Sequence, residues 1–437
     1  MPKKFVLVLL DGLGDRSHPA LDNKTPLQAA RTPFMDHIAE KGCNGLYHAS
    51  FQGQALPSEN AHFAMFGYEQ KDFPGRGVLE ALGAGIKLDQ DQVAVLTHFV
   101  SVAREGNRLR LVRDKMEADP VETRQAFAAV DSFKTGEVDI SLVPTKGLFG
   151  IILLKGYVSP FITDSNPILD GLLLSSIKPL KDYAHDPASI ESARAMTAYL
   201  SWTYRQLLAA EFNLVRQKSG RLPLNALITQ RAGRLKEIIP FSRKNGIRGL
   251  SVSSGVVYAG LCAYLGLDVI KGPEHEHPGQ EIKARIDTAR KHLDRYDFIH
   301  VHTKIPDEAG HKKDPLLKKQ AIEFLDQGLA DSLPALMADR DVIVAVTADH
   351  STPSSGPLVH SGEPVPLVIA AEGVRVDRVR KFDEVSAAGG GLGFVRGREF
   401  MYLVLNYLER SKLVGLMDEP EDRPYWPGKG EPFVLES

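Results

Sequence analysis

The sequence predicts an α/β protein: a mostly parallel sheet flanked by helices, with a smaller α+β domain inserted into it. Three observations carry this expectation. Apolar, β-branched runs recur at Lys4–Leu10, Asp297–Thr303 and Asp341–Ala348, and such runs read as strands buried on both faces, as parallel strands are. Each run is followed by Asp or His: Asp11-Gly12-Leu13-Gly14-Asp15, then Lys304 through Asp307 and His311, then Asp349-His350. Between residues 75 and 241 the pattern changes to shorter strand-like pieces and one long helical run. The expected division is a core of residues 1–74 and 242–437, with 75–241 inserted as a cap.

Composition sets the outer limits. The chain has 437 residues, 43% hydrophobic and 25% charged, an ordinary globular composition. Lys plus Arg number 53 and Asp plus Glu 55, a net charge of -2, so no basic bias points to nucleic acid. Two cysteines, Cys43 and Cys262, argue against a disulfide framework and fit a reducing, cytoplasmic compartment. The opening apolar run is too short for a signal peptide, and Asp11 interrupts it. No stretch reaches the ~18 apolar residues that a membrane span needs. Oligomeric state is left open.

In chain order, residues 24–42 read as a helix-loop-helix, with Pro33 in the first turn of the second helix and Gly42 at its end. Ser58 stands where an N-cap belongs, before a short amphipathic helix. A capping serine is the plain reading. The alternative is a nucleophile, since a helix N-terminus favours phosphate and a serine needs only activation by a base or metal. The glycines around Arg76 suit a bidentate contact to phosphate or carboxylate, or a simple crossover between domains. Strands are expected at Val93–Val102, Arg108–Leu111 and Gly150–Leu154. One helix is expected from Ala188 to about Gln217, capped by Asp186.

Residues 242–290 return to core-like text, with a strand at Gly249–Gly255 and a helix at Val256–Leu265. Glu274-His275-Glu276-His277 has the right residue types for a metal, but no strand end frames it and it reads as a solvated loop. His300 and His302 share one strand face and read as core histidines, His302 the nearer to the strand end. A strand at Pro366–Ala370 and a helix from Glu399 to Arg410 follow. The glycines of 389–393 are expected at the rim of the site, and they lack the Lys-Ser/Thr of a P-loop. The tail from Asp418 is expected to pack loosely.

In open α/β sheets, ligands bind outside the carboxyl ends of the strands. A carboxylate beside an imidazole there is a natural pair of metal ligands. Alone, Asp349-His350 would read as a turn cap and a surface histidine. Three strand ends that each deliver Asp or His, with His360 close behind, are poorly explained as separate accidents. Asp307 and His311 stand four apart, on one helix face.

The stretches LDGLGD, DEAGH, TADHSTP and HSGEPVP resemble the motif set of the archaeal-type cofactor-independent phosphoglycerate mutases, in the alkaline phosphatase superfamily. The likeness runs from Phe5 to about Tyr407, strongest at these motifs. It implies an alkaline-phosphatase-like core, a phosphoserine mechanism and no bisphosphoglycerate. By position it assigns Asp307, His311 and His360 to one metal. Asp11, Asp349, His350 and Ser58 fall to the other, with Ser58 as the phosphorylated nucleophile. Mixed carboxylate and imidazole ligands fit Mn²⁺ or Zn²⁺ better than Mg²⁺.

The cap departs from the family. Gly147-Leu148-Phe149-Gly150 stands where His-Arg is usual. Thr163-Asp164-Ser165-Asn166-Pro167 replaces Asp-Thr-Asp-Pro-His, and Gln230-Arg231-Ala232-Gly233 replaces Arg-Gly-Ala-Gly. An arginine is missing near Leu96, with His98 close by. Asn213, Arg216, Gly220, Asn225, Arg231 and Gly233 survive. Arg76, Arg216, Arg231 and Lys304 are the expected substrate contacts; Lys304 reads equally as a salt-bridge lysine. His98 and Asp164 are candidates for the acid/base. The reading is a metal-dependent phosphotransferase interconverting 3- and 2-phosphoglycerate. The alternatives are a phosphomonoesterase or phosphotransferase for another small phosphorylated or phosphonate metabolite, and a catalytically silent metal-binding member. Ser58 with the whole ligand set argues against the silent one.

Overall fold

The three apolar runs become neighbouring parallel strands. In the computed structural model, which describes residues 3–428 and 430–436, the strands in chain order are β1 (Lys4–Leu10), β2 (Cys43–His48), β3 (Val93–Glu105), β4 (Arg108–Arg113), β5 (Ser132–Thr135), β6 (Val138–Pro144), β7 (Phe149–Lys155), β8 (Ala226–Arg234), β9 (Gly249–Ser253), β10 (Asp268–Lys271), β11 (Phe298–Thr303), β12 (Val342–Thr347), β13 (Val365–Ala370) and β14 (Gly393–Arg396). The chain divides into two compact units. One takes the chain up to Phe73 and from Ile238 onward, the other Pro74–Glu237.

The first unit holds one sheet in the order β10-β9-β11-β1-β12-β13-β2-β14. All neighbours run parallel except β13, which is antiparallel to both β12 and β2. Every residue of β11, β12 and β13 is buried, which is why these strands are continuous apolar runs rather than alternating ones. The register pairs Leu10 with Thr303 and Leu9 with Thr347, so three carboxyl ends line up at one edge. Because β13 is reversed, its amino end lies at that same edge, and so does the loop that precedes it. Phe5, Phe66, Phe241, Phe298 and Phe400 pack against one another under the opposite half of the sheet, ring centroids 5.6–6.3 Å apart.

The expected helix-loop-helix is present as Pro26–Ala29 and Pro33–Lys41, with Pro33 in the first turn and Gly42 at the end. Val256–Leu265 is a helix as expected, and Glu274, His275 and Glu276 are exposed. Two expectations are corrected. The 389–393 glycines lie at the far end of the sheet from the strand ends just described: Gly393 pairs with Gly45 near the start of β2, and Leu392 N–H donates to Asn44 O. The tail is corrected in part: 430–436 are exposed as expected, but the stretch before them is anchored. Arg423 and Tyr425 are buried, Arg423 donating to Arg243 O, and Lys412 is clamped by Asp418 at 2.6 Å. Among the described residues no helix is long and apolar enough to cross a membrane.

In the second unit β3 is the central strand, antiparallel to β4, β7 and β8. β6 and β5 extend the sheet beyond β7. The long helix is two helices, Pro187–Ala209 and Glu211–Lys218, broken at Ala210. Asp186 caps the first through Ser189 N. No Gly or Pro marks the break. The Asn213 amide instead donates to Leu207 O and Leu224 O, satisfying a terminal carbonyl and making a helix end where propensity predicts none.

Candidate metal centre

Each strand end at the shared edge contributes a ligand-type side chain. Asp11 follows β1, and the next residue, Gly12, turns the chain at a φ of +68°, open to glycine. A Cβ on Gly12 would lie 2.7 Å from Asp307 Cβ and 2.6 Å from Thr352 Oγ1, so only glycine lets these loops meet. The helix Ile305–His311 after β11 carries Asp307 and His311 on one face. Asp349 and His350 follow β12, and His360 arrives on the loop into β13.

Ser58 is the first residue of the helix Ser58–Met65. It is not the N-cap; that position belongs to Pro57, which makes no side-chain cap bond. The hydroxyl is therefore free of capping and lies 2.9 Å from His350 Nε2 and 3.5 Å from Asp11 Oδ1.

Two groups of ligand atoms converge, Asp11 with Asp349 and His350, and Asp307 with His350 and His360, each within 4.8 Å. His311 Nε2 stands 3.2 Å from Asp307 Oδ1, and the His350 and His360 rings stack at 3.9 Å. The structure thus gathers all seven residues expected as ligands.

The carboxylates share a pattern. Asp11 commits Oδ2 to the Tyr258 hydroxyl at 2.5 Å and to His302 Nε2 at 3.0 Å, and turns Oδ1 toward Ser58 and His350. Asp349 Oδ1 accepts from Gly12 N and His350 N. Among the described residues Asp349 Oδ2 and Asp307 Oδ2 are buried and take no hydrogen bond; His62 Nδ1 at 3.2 Å and His350 Nε2 at 3.3 Å stand near the first, and Lys304 Nζ at 3.5 Å near the second. A buried carboxylate oxygen without a donor is costly unless a cation completes it. The imidazoles are oriented to match: His360 Nδ1 donates to Leu56 O at 2.7 Å, which leaves its Nε2 lone pair facing Asp307. These residues fit divalent ions in both groups.

The electrostatics agree. Burial alone would raise Asp11, but hydrogen bonds and charge from His302 and His350 hold it well below the usual carboxylate range. Asp307 is likewise lowered, His311 and His360 outweighing its burial. His350 would be lowered by burial, yet Asp349 and Asp11 push it up to about 9. Without ions, an imidazolium balances part of the buried negative charge. His300 is held well below its ordinary value by burial and bonds Ser251 through Nδ1 at 3.0 Å, a core histidine as expected.

Of the six residues expected at the substrate, one lies in the first unit. Lys304 Nζ lies 3.5 Å from Asp307 Oδ2. The other five belong to the second unit. Arg76 pairs with Glu80 at 2.7 Å, and His98 Nε2 meets Asp114 at 2.8 Å. The Asp164 carboxylate, raised by burial, accepts from Arg231 N at 2.6 Å and holds Arg231 at a φ of +55°. Arg216 is corrected: buried, it donates to Glu122 at 2.7 Å, Leu222 O and Glu117 O. It is a strut within its unit rather than an open anion-binding group.

Sequence reasoning missed Tyr258 and Thr352 as neighbours of the ligands, and read His302 as core. It also missed Lys318, which is fully buried and donates to Gly14 O at 2.8 Å and Thr352 O at 2.7 Å, with Asp15 Oδ2 at 3.3 Å. It ties the loop carrying Asp11 to the loop carrying Asp349 and His350. The helical spacing of Pro315–Ala330 put Lys318 on its inner face, and that was the one available signal.

A family model described as the Metalloenzyme superfamily matches residues 3–407. The 2,3-bisphosphoglycerate-independent phosphoglycerate mutase 2 of Methanocaldococcus jannaschii is 36% identical over 442 residues, spanning 99% of this chain and 100% of that protein. The 2,3-bisphosphoglycerate-independent phosphoglycerate mutase of Methanopyrus kandleri is 33% identical, over 95% of this chain and 99% of its own. Among solved structures, the PH0037 protein from Pyrococcus horikoshii superposes with a TM-score of 0.77 at 28% identity, covering 95% of this chain and 100% of that one. The cofactor-independent phosphoglycerate mutase from Thermoplasma acidophilum superposes at 0.63 with 28% identity, covering 93% and 99%.

Proposed function

The chain belongs to the metalloenzyme superfamily and, within it, to the 2,3-bisphosphoglycerate-independent phosphoglycerate mutases, and from this we propose that it interconverts 3-phosphoglycerate and 2-phosphoglycerate through a phosphorylated Ser58. The observation that carries the mechanism is the convergence of the uncapped Ser58 hydroxyl on His350 and Asp11, beside the Asp307 group. We assign Asp307, His311 and His360 to one divalent ion, and Asp11, Asp349, His350 and Ser58 to the other. Mn²⁺ or Zn²⁺ suits these mixed oxygen and nitrogen ligands. Bound there, the ions would supply Lewis acidity and neutralise charge on the transferring phosphoryl group.

The chain's own residues do the rest. Ser58 Oγ, at a helix start where free N–H groups favour phosphate, gives up its hydroxyl proton to solvent and forms the new P–O bond as the glycerate oxygen leaves. That oxygen needs a proton, and His98 and Asp164 are the candidate donors. Asp164 supports this role, since burial raises it toward a protonated form. Return of the phosphoryl group to the other hydroxyl regenerates the serine. Arg76, Arg231 and Lys304 are the candidate anion contacts. The rewritten cap text keeps a second reading open, in which the phosphoserine is hydrolysed and the enzyme is a phosphatase.

The test is Ser58→Ala. Intact protein mixed with substrate and quenched should carry phosphate on the peptide containing Ser58 by mass spectrometry. The variant should bind ions yet lose turnover by at least about 10³-fold. Full turnover in Ser58→Ala would refute the mechanism.

A further inference from the structure

We propose that Thr352 is a positioning residue that joins the two ion sites, holding His350 for one and Asp307 for the other through a single hydroxyl. The inference rests on the ligand assignment above. Thr352 is fully buried in the loop after β12. Its Oγ1 lies 2.7 Å from Asp307 Oδ1 and 3.2 Å from His350 Nδ1.

The direction of the hydrogen bonds follows from chemistry. A carboxylate only accepts, so the one hydroxyl proton goes to Asp307. The Thr352 oxygen then accepts from His350, which requires the proton on Nδ1. Once the ring is neutral, as a metal-ligating imidazole must be, that tautomer leaves the Nε2 lone pair on the side of Ser58 Oγ, at 2.9 Å, and Asp11 Oδ1, at 3.3 Å. The relay His350 Nδ1–H to Thr352 O–H to Asp307 therefore orients a ligand of each site.

The hydroxyl has little freedom to do anything else. Thr352 N donates to Gly14 O at 2.9 Å, and its carbonyl accepts from Lys318 at 2.7 Å. The glycines facing it, Gly12 and Gly310, would each bring a Cβ within 2.8 Å of its side chain. The rotamer is thus set by packing, as an outer group that orients ligands must be.

The test is equilibrium titration of the ion-free protein with Mn²⁺ alone, free Mn²⁺ being read by electron paramagnetic resonance. Thr352→Val keeps shape and removes the hydroxyl; Thr352→Ser keeps the hydroxyl. Wild type should take up two ions. In Thr352→Val both dissociation constants should rise by about 10-fold or more, because the hydroxyl touches a ligand of each site. Thr352→Ser should stay within a few-fold of wild type. Weakening of one site alone, unchanged affinities in Thr352→Val, or a Thr352→Ser as weak as the valine variant would overturn the inference. Should Thr352→Val fail to fold, the serine variant decides by the same criterion. Fewer than two ions on wild type would instead overturn the ligand assignment beneath it.

Discussion

Replacing Lys318 by methionine should loosen the metal-binding edge before any ion is added. The substitution keeps the length and volume of the stem, so it leaves no cavity. It removes a buried ammonium that donates to Gly14 O and Thr352 O and stands 3.3 Å from Asp15 Oδ2. Breaking a buried ion pair from one side costs about 3–5 kcal/mol. The lower end applies here, because Asp15 keeps hydrogen bonds from Arg16 N at 2.7 Å and Ser354 N at 3.0 Å. Gly14 O also keeps a donor, Thr352 N, whereas Thr352 O loses Lys318, for roughly 1 kcal/mol more. The expected loss is about 4 kcal/mol, read as a shift in the guanidinium unfolding transition of the ion-free first unit. Adding Asp15→Asn to Lys318→Met should recover part of that loss, since the two groups are coupled. A loss below about 1 kcal/mol would refute the reasoning, as would strict additivity in the double variant.

The other expectations concern the same edge. Glu384 accepts from Thr25 Oγ1 at 2.8 Å and from Asp15 N, and burial pushes it up to about 7 from 4.5. The folded chain then holds a proton that the unfolded chain has released. Stability should fall as pH rises between those values, and Glu384→Gln should flatten the slope by on the order of 2 kcal/mol in denaturant midpoints taken at pH 4.5 and 8. Tyr258→Phe removes a hydroxyl that serves Asp11 and Ser58, both assigned to the same ion. It should weaken one Mn²⁺ site about 10-fold and spare the other, a contrast with Thr352→Val in the same titration.

What could be read from the sequence were the features that lie next to each other along the chain. Asp11, Asp349 and His350 stand directly after apolar runs, so a strand and its ligand were visible together. Asp307 and His311 share a helical face, which spacing alone reveals. The antiparallel sense of β13, which brings His360 to the edge, was not visible, because a buried antiparallel strand and a parallel one have the same apolar text. Thr352 stood inside a motif, yet its partners are 45 residues away at Asp307 and two away at His350, and only the fold makes them one relay. Lys318 was missed because a buried ammonium is rare, and its inward helical spacing says nothing of Gly14 and Asp15 above it. The break at Ala210 depends on the Asn213 side chain, a tertiary contact that overrides helix propensity.

The central claim is phosphoryl transfer between the two hydroxyls of glycerate, and phosphorus NMR watches it directly. Mn²⁺-activated protein, with the ion then chelated from quenched samples, would be given 3-phosphoglycerate and followed in time. A growing 2-phosphoglycerate signal with no free phosphate is expected. Free phosphate as the sole product, or an unchanged spectrum from protein carrying both ions, would contradict it.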